Sequence, residues 1–257
     1  MTKDLLEQYT EWIVLWIKDF FKDKSGSAII GISGGKDSTI CAALLARALG
    51  PERVIGVQMP DGKQPDISDS DQVFNITHIK KLSINIGKTY SELKNSFLEN
   101  KEIIALTPGF TTNTPARLRM TALYGVAALY GGLVCNTCNL SERIIGWETY
   151  GGDGFGDFSP IGNLTKSEVV ELGDFLGLPK ELIHKVPSDG MCGETDEDKF
   201  GFSYDTLDSW IRFGLRPKSK KVYNQILELH KKSNFKRENI RIPTCEIRLQ
   251  VSKDFDL

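Results

Sequence analysis

The 257-residue sequence predicts an α/β fold, a parallel sheet with helices on both faces. Three observations carry this. Short apolar stretches alternate with longer helical patterns from residue 27 to residue 136. Glycine and proline punctuate the joins, as at Gly50-Pro51 and Gly131-Gly132. No repeat, low-complexity stretch or linker interrupts the chain, so a single domain over residues 1–257 is expected.

The first element is an amphipathic helix. Leu5, Leu6, Tyr9, Trp12, Ile13, Trp16, Ile17, Phe20 and Phe21 recur at spacings of three and four and make one stripe. Packing on the domain core explains such a stripe, and two tryptophans on it also suit a subunit contact. Residues 27–32 form a short apolar strand that runs into a glycine-rich turn and a helix over 38–49. A strand over 53–59, a polar loop over 60–64 and a helix over 67–79 come next. Residues 82–86 are strand-like and 89–98 helical. A long helix over 115–130 opens with Pro115 in its first turn, a favoured place for proline. Residues 133–136 are a further strand. Beyond a glycine-rich stretch at 151–156, residues 165–176 read as a helix capped by Thr165. Residues 194–208 hold six acids and one lysine, and 216–241 hold nine basic residues and two acids. Both runs read first as solvated faces, and the basic one could instead help to bind an anionic ligand.

Composition narrows the class. Hydrophobic residues are 40% and charged residues 26%, as in soluble globular proteins, which excludes collagen-like, disordered and membrane-spanning chains. The longest apolar run is far below the roughly 18 residues of a membrane span. Residues 1–11 carry three acids and no apolar core of a secretory signal. A net charge of −2 gives no whole-molecule pull towards nucleic acid or anionic membranes. Five cysteines is an odd count and argues for reduced thiols and a cytoplasmic location. Cys135-x-x-Cys138 lacks the second pair, or nearby histidines, that zinc would need.

The sharpest feature is Gly31-Ile-Ser-Gly-Gly-Lys-Asp-Ser38, set between the first strand and its helix. It departs twice from a Walker A loop: Ile30 stands where the first glycine belongs, and Asp37 follows Lys36 where serine or threonine belongs. Its physics is still that of anion binding. Gly34 and Gly35 allow a tight turn of amide N–H groups, the helix N-terminus adds a favourable dipole, and Ser33 and Ser38 add hydroxyls. A carboxylate such as Asp37 beside a phosphate cradle is repelled unless a cation lies between them, which implies Mg2+. The plain alternative is a glycine-rich turn with Asp37 capping the helix.

This Ser-Gly-Gly-x-Asp-Ser loop resembles the pyrophosphate loop of ATP pyrophosphatases that cleave between the α and β phosphates. Members of that superfamily activate a substrate oxygen as an adenylate, from which a nucleophile displaces AMP. Other segments are similar to ammonia-dependent NAD synthetases in particular. They are Met59-Pro-Asp-Gly-Lys-Gln-Pro-Asp-Ile-Ser-Asp-Ser70, Asn113-Thr-Pro-Ala-Arg-Leu-Arg-Met120, Asn136-Thr-Cys-Asn-Leu-Ser-Glu142, Gly151-Gly-Asp-Gly-Phe-Gly-Asp157 and Leu164-Thr-Lys166. Pro187-Ser188 and the stretch from Thr195 to Tyr204 extend the match. The resemblance spans roughly residues 27–210 and implies a Rossmann-like sheet of the adenine-nucleotide α-hydrolase type.

It also implies roles. Gly31, Ser33, Gly34, Gly35, Asp37, Ser38, Thr137, Lys166 and Ser188 would bind ATP as co-substrate, with Asp37 and Lys166 serving catalysis. Asp37 and Glu142 would hold Mg2+, and Arg117, Asp157 and Lys236 would contact deamido-NAD. Read alone, each of several residues has a plainer account: Glu142 and Arg117 as helix-surface charges, Thr137 as a strand end, Asp157 as a turn residue and Lys166 as a solvated lysine. Two places depart from the family. A lysine expected just before the Gly-Asp-Gly loop is replaced by Glu148-Thr-Tyr150, and a late His-Lys pair by Phe235-Lys-Arg237.

The implied reaction has two steps: deamido-NAD and ATP give an acyl adenylate and pyrophosphate, then ammonia gives NAD and AMP. Glutamine-dependent members carry an amidase domain that 257 residues cannot hold, so ammonia is the expected nitrogen source. A homodimer is expected by the same resemblance, and a mobile acidic loop over 188–200 that closes on ligand. The rivals are a tRNA-thiolating enzyme, which would want a basic RNA-binding module and a catalytic cysteine, and a non-catalytic nucleotide-binding module, which has little use for both Asp37 and Glu142.

Overall fold

The computed structural model describes residues 1–64, 67–185 and 195–237. At its centre is a parallel sheet of β1 (Ala28–Gly31), β2 (Val54–Gln58), β3 (Lys80–Ser83) and β4 (Leu133–Cys135), in the order β3-β2-β1-β4. Ala28 pairs with Val54 on one side and Leu133 on the other, so β1 is flanked by strands that come later in the chain. Past the end of β4, a parallel bridge from Cys135 to Phe158 continues the sheet outward.

Alternation along the strands separates two apolar layers. Ala28, Ile30 and Ile32 pack with α1 (Lys3–Phe20), α2 (Lys36–Leu49) and α7 (Lys166–Phe175). Ile29, Ile55, Val57 and Val134 pack on the opposite face against Met120, Leu123, Val126 and Ala127 of α5 (Pro108–Tyr130). Burying both faces is why these strands read as continuous apolar runs. α3 (Ile67–Thr77) and α4 (Gly87–Leu98) complete the crossovers. A third apolar cluster joins α6 (Leu140–Ile145), α9 (Asp196–Phe200), α10 (Tyr204–Phe213) and α11 (Lys220–Lys232) around the fully buried Trp210. The short α8 (Lys180–Ile183) seals the first layer with Leu182 and Ile183.

The tryptophan stripe turns inward. Trp16 stacks on Phe20 at 5.6 Å and meets Phe158 at 6.5 Å, and Trp12 packs on the same core, so α1 is a core helix whose two tryptophans stay half-buried. Two element boundaries differ from expectation. The long helix begins at Pro108, not Pro115: Thr107 caps it through the Phe110 amide, Pro108 occupies its first turn, and Phe110 packs on Phe97 at 5.0 Å. Pro115 lies buried inside the helix. The third strand is Lys80–Ser83, not 82–86, because it is an edge strand whose ladder starts at the exposed lysines. Ile84 and Ile86 carry the hydrogen bonding on, donating to Gln58 and Pro60 carbonyls. Thr165 caps α7 as expected, in a reciprocal box with Glu168.

Candidate active site

The end of β1 runs into the turn Ile32 to Gly35 and then into α2, at the carboxyl edge of the sheet where doubly wound folds bind ligands. Gly34 has φ +83°, and a Cβ on it would lie 2.7 Å from both Asp69 Cβ and the Ser70 amide nitrogen, so only glycine fits. The hydroxyls knit the turn. Ser33 Oγ accepts from the Gly35 amide at 3.2 Å and lies 3.1 Å from Ser38 Oγ, and the Ser38 and Thr39 hydroxyls both donate to the Gly35 carbonyl. Gly35, not Asp37, is the N-cap, which removes the capping explanation of Asp37.

Three segments meet in front of this turn. Lys166 Nζ, at the start of α7, donates to Asp37 Oδ2 at 3.0 Å and to Glu142 Oε1 at 2.8 Å. Burial alone would favour the neutral amine, but Asp37 and Glu142 outweigh it and hold Lys166 charged well above the ordinary lysine range. Burial pushes Glu142 up to about 7, with Lys166 opposing and Asp37 adding to the rise. Lys36, inside the loop, is buried, and burial together with Lys166 lowers its proton affinity. Two buried lysines thus stand beside two carboxylates in front of a glycine turn.

Asp37 and Glu142 also fit Mg2+, which binds through one or two carboxylates and substrate phosphates without an all-protein cage. No group of three or more His, Cys, Asp or Glu gathers as a metal site among the described residues.

Of the remaining expected residues, Arg117 and Lys236 both bind the loop after α6 and form a second flank. Arg117 Nε on α5 donates to the Tyr150 carbonyl at 3.1 Å. Tyr150 packs edge-on against Phe155 and Phe235. Lys236 Nζ donates to the carbonyls of Gly146 at 2.8 Å and Glu148 at 2.6 Å. Asp157 accepts from the Val134 amide at 2.7 Å and the Tyr124 hydroxyl at 3.2 Å; burial, then Asp157, pushes Tyr124 up to about 12. Thr137 is half-buried in the turn between β4 and α6. Ser188 lies outside the described residues, as does most of the expected mobile loop; its end, from Thr195, is a capped helical turn.

A family model described as NAD synthase matches residues 9–240. The chain belongs to the NAD synthase family. It is 36% identical over 244 residues to the NH(3)-dependent NAD(+) synthetase of Carboxydothermus hydrogenoformans, covering 92% of this chain and 97% of that protein. It is 37% identical to the protein of the same name from Pyrococcus horikoshii, over 86% and 90%. Among solved structures it is similar to NMN synthetase from Francisella tularensis, with a TM-score of 0.82 and 30% identity over 93% of this chain and 99% of the other. The NH3-dependent NAD synthetase from Campylobacter jejuni, solved with a nitrate ion, gives 0.73 and 27% over 95% and 99%. As an NAD synthase the chain is a ligase that forms a carbon–nitrogen bond, amidating deamido-NAD with ammonia at the expense of ATP.

In this NAD synthase several residues absent from the sequence-based site help to build it. Asn139, fully buried, caps α6 in a box with Glu142 and donates through Nδ2 to Asp37 Oδ1 at 3.0 Å. The signal was present as Asn139-x-x-Glu142, a capping pattern. Ser141 Oγ accepts from the Lys166 amide and donates to Asp208, which also accepts from Ser167, so α6, α7 and α10 lock around the lysine. Nothing local marks Asp208; its role needs the tertiary fold.

Proposed function

We propose that this chain amidates deamido-NAD through an acyl adenylate, with the Ser33–Ser38 turn, Thr137, Lys166 and Ser188 holding ATP. The observation that carries this is the Lys166 clamp on Asp37 and Glu142 in front of the glycine turn. The nicotinate carboxylate is ionised at pH 7 and attacks the α-phosphorus without a general base. The barrier is then charge on the departing pyrophosphate, which loop amides, Lys166 and Lys36 neutralise in a partly dry site. Asp37 and Glu142 would hold Mg2+, which when bound adds charge neutralisation on the phosphates. Arg117, Asp157 and Lys236 contact the dinucleotide on the second flank.

The enzyme works in the cytoplasm as a homodimer. No described helix is long and apolar enough to cross a membrane. Phe97, Leu98 and Ile104, at and just after the end of α4, are exposed and offer apolar surface to a second subunit. Incubation with ATP, Mg2+, ammonium and deamido-NAD should give AMP and NAD in equal amounts. ATP hydrolysis without the dinucleotide acid, or no AMP at all, would refute the reading.

A second reading adds a shorter substrate. The likeness to the NMN synthetase of Francisella tularensis, and the aromatic Tyr150 where the family's lysine is expected, favour turnover of nicotinate mononucleotide as well. Comparing kcat/KM for the mononucleotide and dinucleotide acids decides it.

A further inference from the structure

Glu148 stands on the loop that leaves α6 after Gly146, and it is only 9% exposed. Its Oε2 has no hydrogen-bond partner among the described residues. A buried carboxylate oxygen left unpaired is costly. The nearby cations do not close it. Lys236 turns its Nζ to the carbonyls of Gly146 and Glu148, and Arg143 donates to the Gly162 carbonyl at 3.4 Å. The turn presses the side chain into place, since a Cβ on Gly154 would lie 2.7 Å from Glu148 Cγ.

Charges of both signs surround it. Burial pushes Glu148 up to about 7; Lys236 and Arg143 oppose the rise, and Glu142 and Asp153 add to it. The position also lies between the two flanks of the site. Glu142 on one side belongs to the phosphate clamp. On the other, Thr149 donates to Asn113 of α5 and the Tyr150 carbonyl accepts from Arg117.

We propose that Glu148 Oε2 receives the ammonium ion and takes its proton in the second half-reaction. The proposal rests on the acyl-adenylate reading above. One N–H bond of ammonium breaks and its proton goes to Oε2, which frees the nitrogen lone pair. That pair forms the C–N bond at the acyl carbon, the C–O bond to AMP breaks, and AMP leaves with the electron pair. The nitrogen then loses a second proton to the departing AMP phosphate.

The test compares wild type with Glu148→Gln by three measurements. They are ATP–pyrophosphate exchange dependent on deamido-NAD, kcat/KM for ammonium, and kcat/KM for hydroxylamine, a small nucleophile already largely unprotonated at neutral pH. Exchange and the hydroxylamine rate should stay close to wild type while kcat/KM for ammonium falls by ~100-fold, the lower end of what a positioned base contributes. An unchanged ammonium rate overturns the proposal. So does a parallel loss of all three, which would mark Glu148 as a structural residue. Absence of exchange in the wild type would remove the acyl-adenylate reading, and the proposal with it, whatever the variant does.

Discussion

Asn139 Nδ2 donates to Asp37 Oδ1 at 3.0 Å across 102 residues of sequence, while Asn139 Oδ1 accepts from the Glu142 amide at 3.0 Å. One buried amide thus fixes a helix start and orients a carboxylate of the phosphate site. Asn139→Ala should cost about 1 kcal/mol of stability for the lost cap. It should also lower kcat by at least about tenfold, or ~1.4 kcal/mol of barrier. Asn139→Asp restores the capping acceptor but sets another carboxylate beside Asp37, so it should recover stability in urea unfolding without recovering rate. Recovery of both would mean that the contact with Asp37 has no functional weight.

Asp37→Asn should abolish turnover with the fold intact. Its carboxylate stands in the first turn of α2, next to the glycine turn, and meets the Lys166 ammonium, so charge and not shape is what the amide removes. Retention of more than about a tenth of the wild-type rate, roughly 1.4 kcal/mol of barrier, would rule out the metal and charge role.

Arg212 grips Glu168 with two donors, Nε to Oε1 and the terminal nitrogen to Oε2, both at 2.6 Å and nearly dry. Glu168 also closes the cap of α7, the helix that presents Lys166. Removing one partner of a buried pair costs about 3–5 kcal/mol. Arg212→Met should therefore lower the urea midpoint strongly, and a shift under ~1 kcal/mol would show the pair to be as weak as a surface one.

Glu148 gives a pH signature of stability. Its folded value of about 7 lies above the ~4.3 of an unfolded chain, so the folded state binds more protons between these limits. The associated stability is fully present below about 4.3 and is lost as pH rises through about 7. Glu148→Gln cannot ionise, so its unfolding free energy should gain on wild type between pH 5 and pH 8, by up to roughly 3 kcal/mol. A difference that stays constant over that range would mean Glu148 titrates as an ordinary surface acid.

Much of this architecture was written locally. The glycine turn, the Thr165 cap and the doubly buried strands depend on residues close in sequence, and each stands where the pattern put it. Boundaries failed where a distant partner decided them. Pro115 reads as a helix start until Phe110 finds Phe97, and the edge strand is centred on lysines because only its inner neighbour pairs with it. The same division runs through the site. Asp37 announces itself by standing in a glycine-rich turn, whereas Asn139 enters the site only through the structure, though its spacing to Glu142 is a capping pattern. Asp208 and Glu148 matter only because α10 and the loop after α6 come to lie against other elements.

The clamp on Lys166 has a consequence for how the protein is made. Its two acceptors lie 129 and 24 residues earlier in the chain, so a growing polypeptide delivers both acids before it delivers the base. Until residue 166 leaves the ribosome, Asp37 and Glu142 are like charges with no ammonium between them, and bringing them together is uphill. The ammonium that joins the two acids in the finished fold is the last of the three charges to be made.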